Sequence, residues 1–240
     1  MRVVAGSNPA APTNNQMGIL DNLDNATQSL QTYNSRCVHY NLIAQGVYQA
    51  RERIGNPLSP EFRPYIVAGL IGFDMRRTMG DGNPYSPDGF QGRLSKCLDT
   101  LQDSLVGLAN TNLATANLGS IRSRVETAYY CIANHCGVTG KEFNVGATKV
   151  LHWLFPDLFI ILDRNAAAAF RKHHGVGFSQ TTQPGYTPDK YFQCLEEARE
   201  EINQFGLDRF RALEAGTPLA RIFDKIAFVV GGGAPRRSIG

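Results

Sequence analysis

The sequence predicts an all-helical protein. Apolar residues recur at steps of three and four, three hydroxyl–proline pairs mark helix starts, and no stretch alternates with the period of two that a half-buried strand requires. No pair of apolar runs flanks an Asn-Gly or Asp-Gly turn either, so hairpins are absent from the expectation.

Each element follows from that pattern. Ser59-Pro60 is the first hydroxyl cap with proline in the opening turn, where its missing N–H would be unpaired anyway; Thr187-Pro188 and Thr217-Pro218 repeat the device. Leu94, Leu98, Leu101, Leu105 and Leu108 make one apolar stripe. Ile121, Val125, Ala128, Tyr129 and Ile132 make a second, and Gly137 supplies its stop. Next comes a tight turn at Asn144-Val145-Gly146, then a helix from about Ala147 to Phe155, ended by Pro156. A short apolar connection leads to Asp163, which caps a helix from Arg164 to His173. Tyr191, Leu195, Ala198, Ile202 and Phe205 form the last clear stripe, closed by Gly206. Gly80 to Gly92 and Gly175 to Gly185 read as long loops, which in a helical fold more often carry function than idle. Gly231-Gly232-Gly233 with Arg236 and Arg237 reads as a frayed tail.

Composition narrows the class. With 240 residues, 42% hydrophobic and 19% charged, the chain can bury one ordinary core and is not a disordered tail protein. No apolar run reaches the roughly 18 residues of a membrane span; Tyr65 to Phe73 and Leu158 to Leu162 read as short core segments. Five irregularly spaced cysteines argue against a secreted disulfide scaffold, so the expected compartment is the cytoplasm. His173-His174 and Cys131 with His135-Cys136 lack paired ligand spacing, so neither a metal nor another cofactor is expected. The net charge of +3 is near neutral, yet 18 of the 24 basic residues are Arg, the better fork for phosphate. Arg76-Arg77, Arg122 and Arg124 are candidate phosphate contacts.

Residues 1–16 share no periodicity with the remainder. Gly6-Ser7-Asn8-Pro9 is what the T-arm of a transfer-RNA gene gives when read as protein, so the expectation is an unstructured leader with translation starting at Met17. Residues 17–235 then form the fold and 236–240 a tail. Transfer-RNA genes are frequent insertion points for mobile elements that carry defence genes.

The chemistry concentrates in Val138 to Phe170. A helix start after a glycine-containing turn presents backbone N–H groups with the helix dipole behind them, an arrangement that binds phosphate. One turn into that helix stands Lys149, the only Lys between residues 142 and 171, and Asp163 caps the next helix.

Turn, glycine, a Lys on the next helix, then a capping Asp: this segment resembles the helix-hairpin-helix DNA glycosylase superfamily, which includes endonuclease III and the 8-oxoguanine glycosylases. There the hairpin reads Leu-Pro-Gly-Val-Gly-x-Lys. Here Asn144 stands in place of the first Gly, and Lys149 lies three residues beyond Gly146, with Thr148 at the usual Lys position. The resemblance implies two helical lobes around a cleft, a hairpin gripping the DNA backbone, and a modified base flipped into the cleft. It implies Asp163 as the essential carboxylate, Lys149 as the amine of the lyase members, and Asn144, Val145, Gly146, Thr148 and Arg164 at the DNA. Asn110-Thr111-Asn112 is similar to the turn with which the 8-oxoguanine enzymes fill the gap left by the base.

The residue types suit that chemistry. A carboxylate near C1′ stabilises an oxocarbenium-like state, and a Lys becomes nucleophilic once burial disfavours its ammonium. Tyr129, Tyr130, Trp153 and Phe90 are available to line a base pocket, and the small Ala166 to Ala169 run could leave room for a substituent on the base. The expected partner is DNA carrying a modified base, bound by a monomer with no membrane attachment. The chain also looks similar to the phage-defence glycosylases that act on glucosylated hydroxymethylcytosine in viral DNA. Two other readings remain open from sequence: an 8-oxoguanine-type repair glycosylase with abasic-site lyase activity, and a non-catalytic helix-hairpin-helix DNA-binding module. A helical toxin or interaction protein is a third class.

Overall fold

A computed structural model describes residues 18–138, 143–178 and 186–233, and among these the chain is helical with no strand. Its helices are α1 (Leu23–Arg36), α2 (Val38–Ile54), α3 (Arg63–Gly72), α4 (Phe90–Val106), α5 (Leu118–His135), α6 (Asn144–Leu154), α7 (Arg164–His174), α8 (Pro188–Phe205), α9 (Leu207–Ala212) and α10 (Leu219–Val230). Short 3-10 turns at Pro60–Phe62 and Arg76–Thr78 flank α3. The expected leader, the 236–240 tail and most of the 175–185 loop lie outside the described residues.

The three predicted stripes become α4, α5 and α8, and each buries the residues that defined it except Phe205, which is half-buried; Leu108 is buried just beyond the end of α4. Asp163 caps α7, accepting from the Asn165 and Ala166 N–H groups at 2.9 Å each. Ser59 and Thr187 cap as expected, accepting from Glu61 and Lys190. The third pair departs from expectation. α10 has Pro218 at its N-cap position, and the opening Leu219 N–H donates to Asp157, 2.9 Å away, so a carboxylate distant in sequence takes the role given to Thr217.

Packing sets a central pair of helices. α6 buries every residue except Val145, and α10 buries Leu219 through Ala227. α6 packs against α5, α3 and α2, while α10 packs between α1 and α7. Burying α10 on all sides obliges its charges to pair. Arg221 bonds Asp224 at 2.8 Å, and the Lys225 ammonium donates to Glu214 and Asn34. Cys97 of α4 and Cys131 of α5 are joined in a single crosslink between neighbouring helices, and Cys37, Cys136 and Cys194 are buried thiols.

Three sequence expectations are corrected. The tight turn placed at Asn144-Val145-Gly146 is the first turn of α6. Gly146 is required there by packing, because a Cβ at that position would lie 2.1 Å from the Phe143 ring. Gly231-Gly232-Gly233 is a helix stop and not a frayed end: the Gly233 N–H donates to Phe228 O and the Gly232 N–H to Val229 O, with φ +89 at Gly232. Gly231 also presses on α7, where a Cβ would come within 1.8 Å of Asn165 O. α7 packs against α10, and of the Ala166–Ala169 run Ala166, Ala167 and Ala169 are buried and Ala168 half-buried; none of the four lines the cleft described below, so this run opens no room in it.

Candidate active site

Lys149 and Asp163 line one cleft of about 1030 Å³. Lys149 arrives from the middle of α6 and Asp163 from the N-terminus of α7. Tyr33, Cys37 and Tyr40 come from α1 and the start of α2, Phe73 and Asp74 from the end of α3, and Arg221, Asp224 and Phe228 from α10. Arg36, His39, Arg76, Arg77, Ile71, Ile161 and Asn165 complete the lining; Arg36 and Arg77 are exposed and bring positive charge to the mouth, with the exposed Asp74 beside them.

Lys149 is 7% exposed, and its ammonium donates to Phe73 O at 3.1 Å while lying 5.2 Å from the centroid of the Phe73 ring. Burial pushes its pKa down to about 8, against the opposing pull of Asp163 and Asp74. A fraction of the free amine is therefore present at neutral pH. Asp163 is half-buried, and desolvation raises its pKa even though two N–H bonds and Lys149 oppose the rise. Both cap bonds use Oδ1. Among the described residues Oδ2 takes no hydrogen bond.

A second charged pair stands in the same wall. Arg221 donates to Asp224 at 2.8 Å and to the Tyr33 hydroxyl at 2.7 Å, and its guanidinium lies over the Tyr33 and Phe73 rings. Burial pushes the Asp224 carboxyl up to about 7, with Arg221 and Lys225 limiting the rise. Tyr40, Phe73 and Tyr33 supply flat apolar surface beside these charges, so the cleft combines an amine, three carboxyls and the Arg221 guanidinium with aromatic walls. Such a site can hold a flat polar ring and act on a bond at its edge by proton transfer or nucleophilic attack.

The other sequence candidates sit elsewhere. Thr148 is fully buried; its hydroxyl donates to Val145 O and accepts from the Leu162 N–H, which fixes the connection leading to Asp163. Asn144 is 7% exposed and takes a 3.3 Å bond from the Tyr129 hydroxyl. Both have structural work inside the protein, Gly146 is buried beneath Phe143, and Val145 alone of the four is partly exposed. Arg164 is exposed at the start of α7. Asn112 folds its side chain onto the Thr115 N–H, and neither it nor exposed Asn110 lines the cleft.

Of the aromatic residues expected at a base pocket, Tyr129, Trp153 and Phe90 are core and Tyr130 is 56% exposed; none lines the cleft. Arg122 is engaged by Glu126 and Asp189, and Arg76 by the Gly80 and Gly82 carbonyls. Among the described residues no group of three or more His, Cys, Asp or Glu is arranged to hold a metal, and no helix is long and apolar enough to cross a membrane.

Sequence reasoning missed Tyr33, Tyr40, Phe73, Asp74, Arg221 and Asp224. For Arg221 and Asp224 a signal existed: charges at an i, i+3 spacing, with Lys225 beside them, inside the otherwise apolar run Leu219–Val230 mark a helix whose polar groups are buried and paired. No protein-family model, curated protein or solved structure matches the chain.

Proposed function

We propose that the chain is a DNA glycosylase that excises a modified base and leaves an abasic site. The observation that supports this best is the meeting of Lys149 and Asp163, fourteen residues apart and on different helices, in one aromatic-walled cleft. The α5–α6 pair would serve as the helix-hairpin-helix element that grips the DNA backbone, and the exposed Arg36, Arg77 and His39 would meet phosphates at the mouth.

The flipped base enters among Tyr33, Tyr40 and Phe73. As the glycosidic bond lengthens, positive charge grows on the sugar, and the Asp163 carboxylate stabilises it from a position locked by its cap bonds. Oδ2, uncommitted to the cap, is the oxygen available to orient or deprotonate a water molecule for attack at C1′. Lys149 in its amine form is the alternative nucleophile, and at a pKa of about 8 most of it is ammonium at neutral pH, which favours water. A cleft of about 1030 Å³ is at the upper end of the volume typical of small-molecule sites, which favours a base with a bulky substituent. Glucosylated hydroxymethylcytosine in phage DNA is such a base, and an antiviral role follows from it.

The test incubates the purified protein with plain, 8-oxoguanine-containing and glucosylated-hydroxymethylcytosine DNA, reading strand breaks before and after alkali. Breaks that need alkali and appear only on modified DNA are expected. Asp163→Asn, which keeps an N-cap acceptor, should slow them by about 100-fold or more. Breaks without alkali, increasing as pH rises through about 8, would mark Lys149 as a lyase nucleophile. No excision of any substrate, or equal excision by the Asp163 variant, refutes the reading.

A further inference from the structure

Two helices of this protein end in the same hydrogen-bonded closure with different residues at its critical position. In α10 that residue is Gly232, at φ +89. In α3 the Met75 N–H donates to Leu70 O and the Asp74 N–H to Ile71 O, both at 3.0 Å, and the left-handed position belongs to Asp74 at φ +60. This closure favours a residue without a Cβ. Among the described residues Asp74 is the one non-glycine with positive φ, and it lines the candidate active site. A carboxylate kept where glycine fits better points to a use for the carboxylate.

Its surroundings indicate the use. The Tyr40 hydroxyl donates to Asp74 Oδ2 at 2.8 Å, and the Tyr40 ring lies against Phe73 with centroids 4.8 Å apart. The preceding residue, Phe73, gives Lys149 both the carbonyl that accepts from its ammonium and the ring beneath it. The dipeptide Phe73-Asp74 therefore brings a carbonyl, an aromatic face and a negative charge to one amine. The charged groups around Lys149 are Asp163 at the start of α7, Asp74 at the end of α3, and Arg221 with Asp224 on α10. The three carboxyls favour the ammonium, whereas burial and Arg221 disfavour it.

We propose that Asp74 is a positioning residue of the candidate active site: the left-handed closure of α3 and the Tyr40 hydroxyl fix its exposed carboxylate in the cleft wall, next in sequence to the Phe73 carbonyl that holds Lys149, so that its charge acts on that amine. The inference rests on the glycosylase reading for its meaning. There, a Lys149 held as ammonium leaves the attack on the sugar to water and serves as a fixed positive charge beside the DNA.

The test measures Lys149 itself. Wild type, Asp74→Asn and Asp74→Gly are acylated with acetic anhydride between about pH 6 and pH 10, and labelling is resolved by peptide mass spectrometry. Exposed Lys96 is the internal reference. Asn tolerates the left-handed backbone and can still accept from Tyr40, and Gly is the usual occupant of the closure. Both variants are therefore expected to fold, and the melting temperature of Asp74→Gly should be no lower than that of wild type. Near neutral pH, Lys149 should be acylated about threefold faster relative to Lys96 in both variants, because loss of the Asp74 charge leaves more of it as free amine. An unchanged Lys149 profile in both overturns the proposal. Faster labelling in the Gly variant alone would assign the effect to shape and not to charge, and overturns it too. The labelling needs no DNA, so its failure is distinct from a failure of the excision assay.

Discussion

The two ends of α7 handle buried charge in opposite ways. At the C-terminal end His174 is held between two carboxylates, with Nδ1 2.9 Å from Glu197 Oε2 and Nε2 on Glu201 Oε1. Glu201 in turn accepts from the Ile19 and Leu20 N–H groups, so one carboxylate ties the chain's first described residues to α7 and α8. Gly18 wraps around it closely, and a Cβ there would lie 3.0 Å from its carboxyl carbon. At the N-terminal end Asp163 commits only Oδ1 to its cap and presents the rest of the carboxyl to a cleft. A buried ion with all its atoms paired holds a fold together. One that is fixed through a single atom and left open beside an amine is arranged for something else to arrive.

The comparison predicts unequal costs for removing the two carboxylates. Glu201→Ala strips the acceptor from two backbone N–H groups and leaves His174 with half its counter-charge, a loss of about 3–5 kcal/mol. Asp163→Ala removes one N-cap and should cost about 1 kcal/mol, because the raised pKa of Asp163 shows that its burial already offsets part of what the cap contributes. Urea unfolding of both variants gives the two numbers. Equal losses would mean that Asp163 is as structural as Glu201 and would break the distinction between the ends.

The sequence made one end legible and not the other. Asp163 stands out because an N-cap is a local device: extended backbone, a short acceptor and a helix following at once. Lys149 is equally visible, as an isolated amine one turn into an apolar helix. The partners of Glu201 lie in α7 and at the beginning of the fold, about 180 residues away, and nothing local to Glu201 announces them. The cleft walls were hidden for the same reason, since Tyr33, Phe73 and Arg221 are far apart in the chain and meet only when α1, α3 and α10 pack. The start of α6 is obscured by Gly146, which reads as a turn residue but is a glycine because Phe143 occupies the space of its side chain. Periodicity thus located the long helices, whereas burial of polar groups, which decides the site, depended on tertiary neighbours.

A substitution outside both ends of α7 separates them further. Gly231 has an ordinary negative φ of −76, so alanine there is not strained by its backbone. Its Cβ would instead meet Asn165 O at 1.8 Å and Ala169 N at 3.1 Å, and backbone atoms cannot swing aside as a side chain can. Gly231→Ala must lever the end of α10 away from the first turn of α7, at a cost of about 1–3 kcal/mol. The displacement falls beside Asp163 and far from His174 in sequence. Excision per folded molecule should therefore drop, while the pH dependence set by His174 persists. A variant that loses stability but keeps full excision would show that the cleft tolerates movement of the α7 N-terminus.

The smallest effect is the pH dependence itself. Burial by itself would lower the pKa of His174, but Glu201 and Glu197 outweigh burial and raise it above the ordinary histidine value near 6.5. A folded-state pKa above the unfolded one means that the folded protein binds the proton more tightly. The resulting stability is fully present below about pH 6.5 and is lost as pH rises through the folded value. Stability should fall over that window, with Asp224, raised to about 7, adding a fall of the same sign up to that pH, and His174→Gln should remove the His174 part of the fall while leaving the cleft intact. Lys149, whose pKa is lowered to about 8, titrates in a neighbouring range with the opposite sign: its proton is held less tightly in the folded protein, so its contribution grows as pH rises. Urea unfolding of wild type, His174→Gln and Lys149→Met across that range separates the two. If His174→Gln keeps the whole fall, the clamp at the C-terminal end of α7 does not carry its charge in the folded state, and the contrast between the two ends collapses.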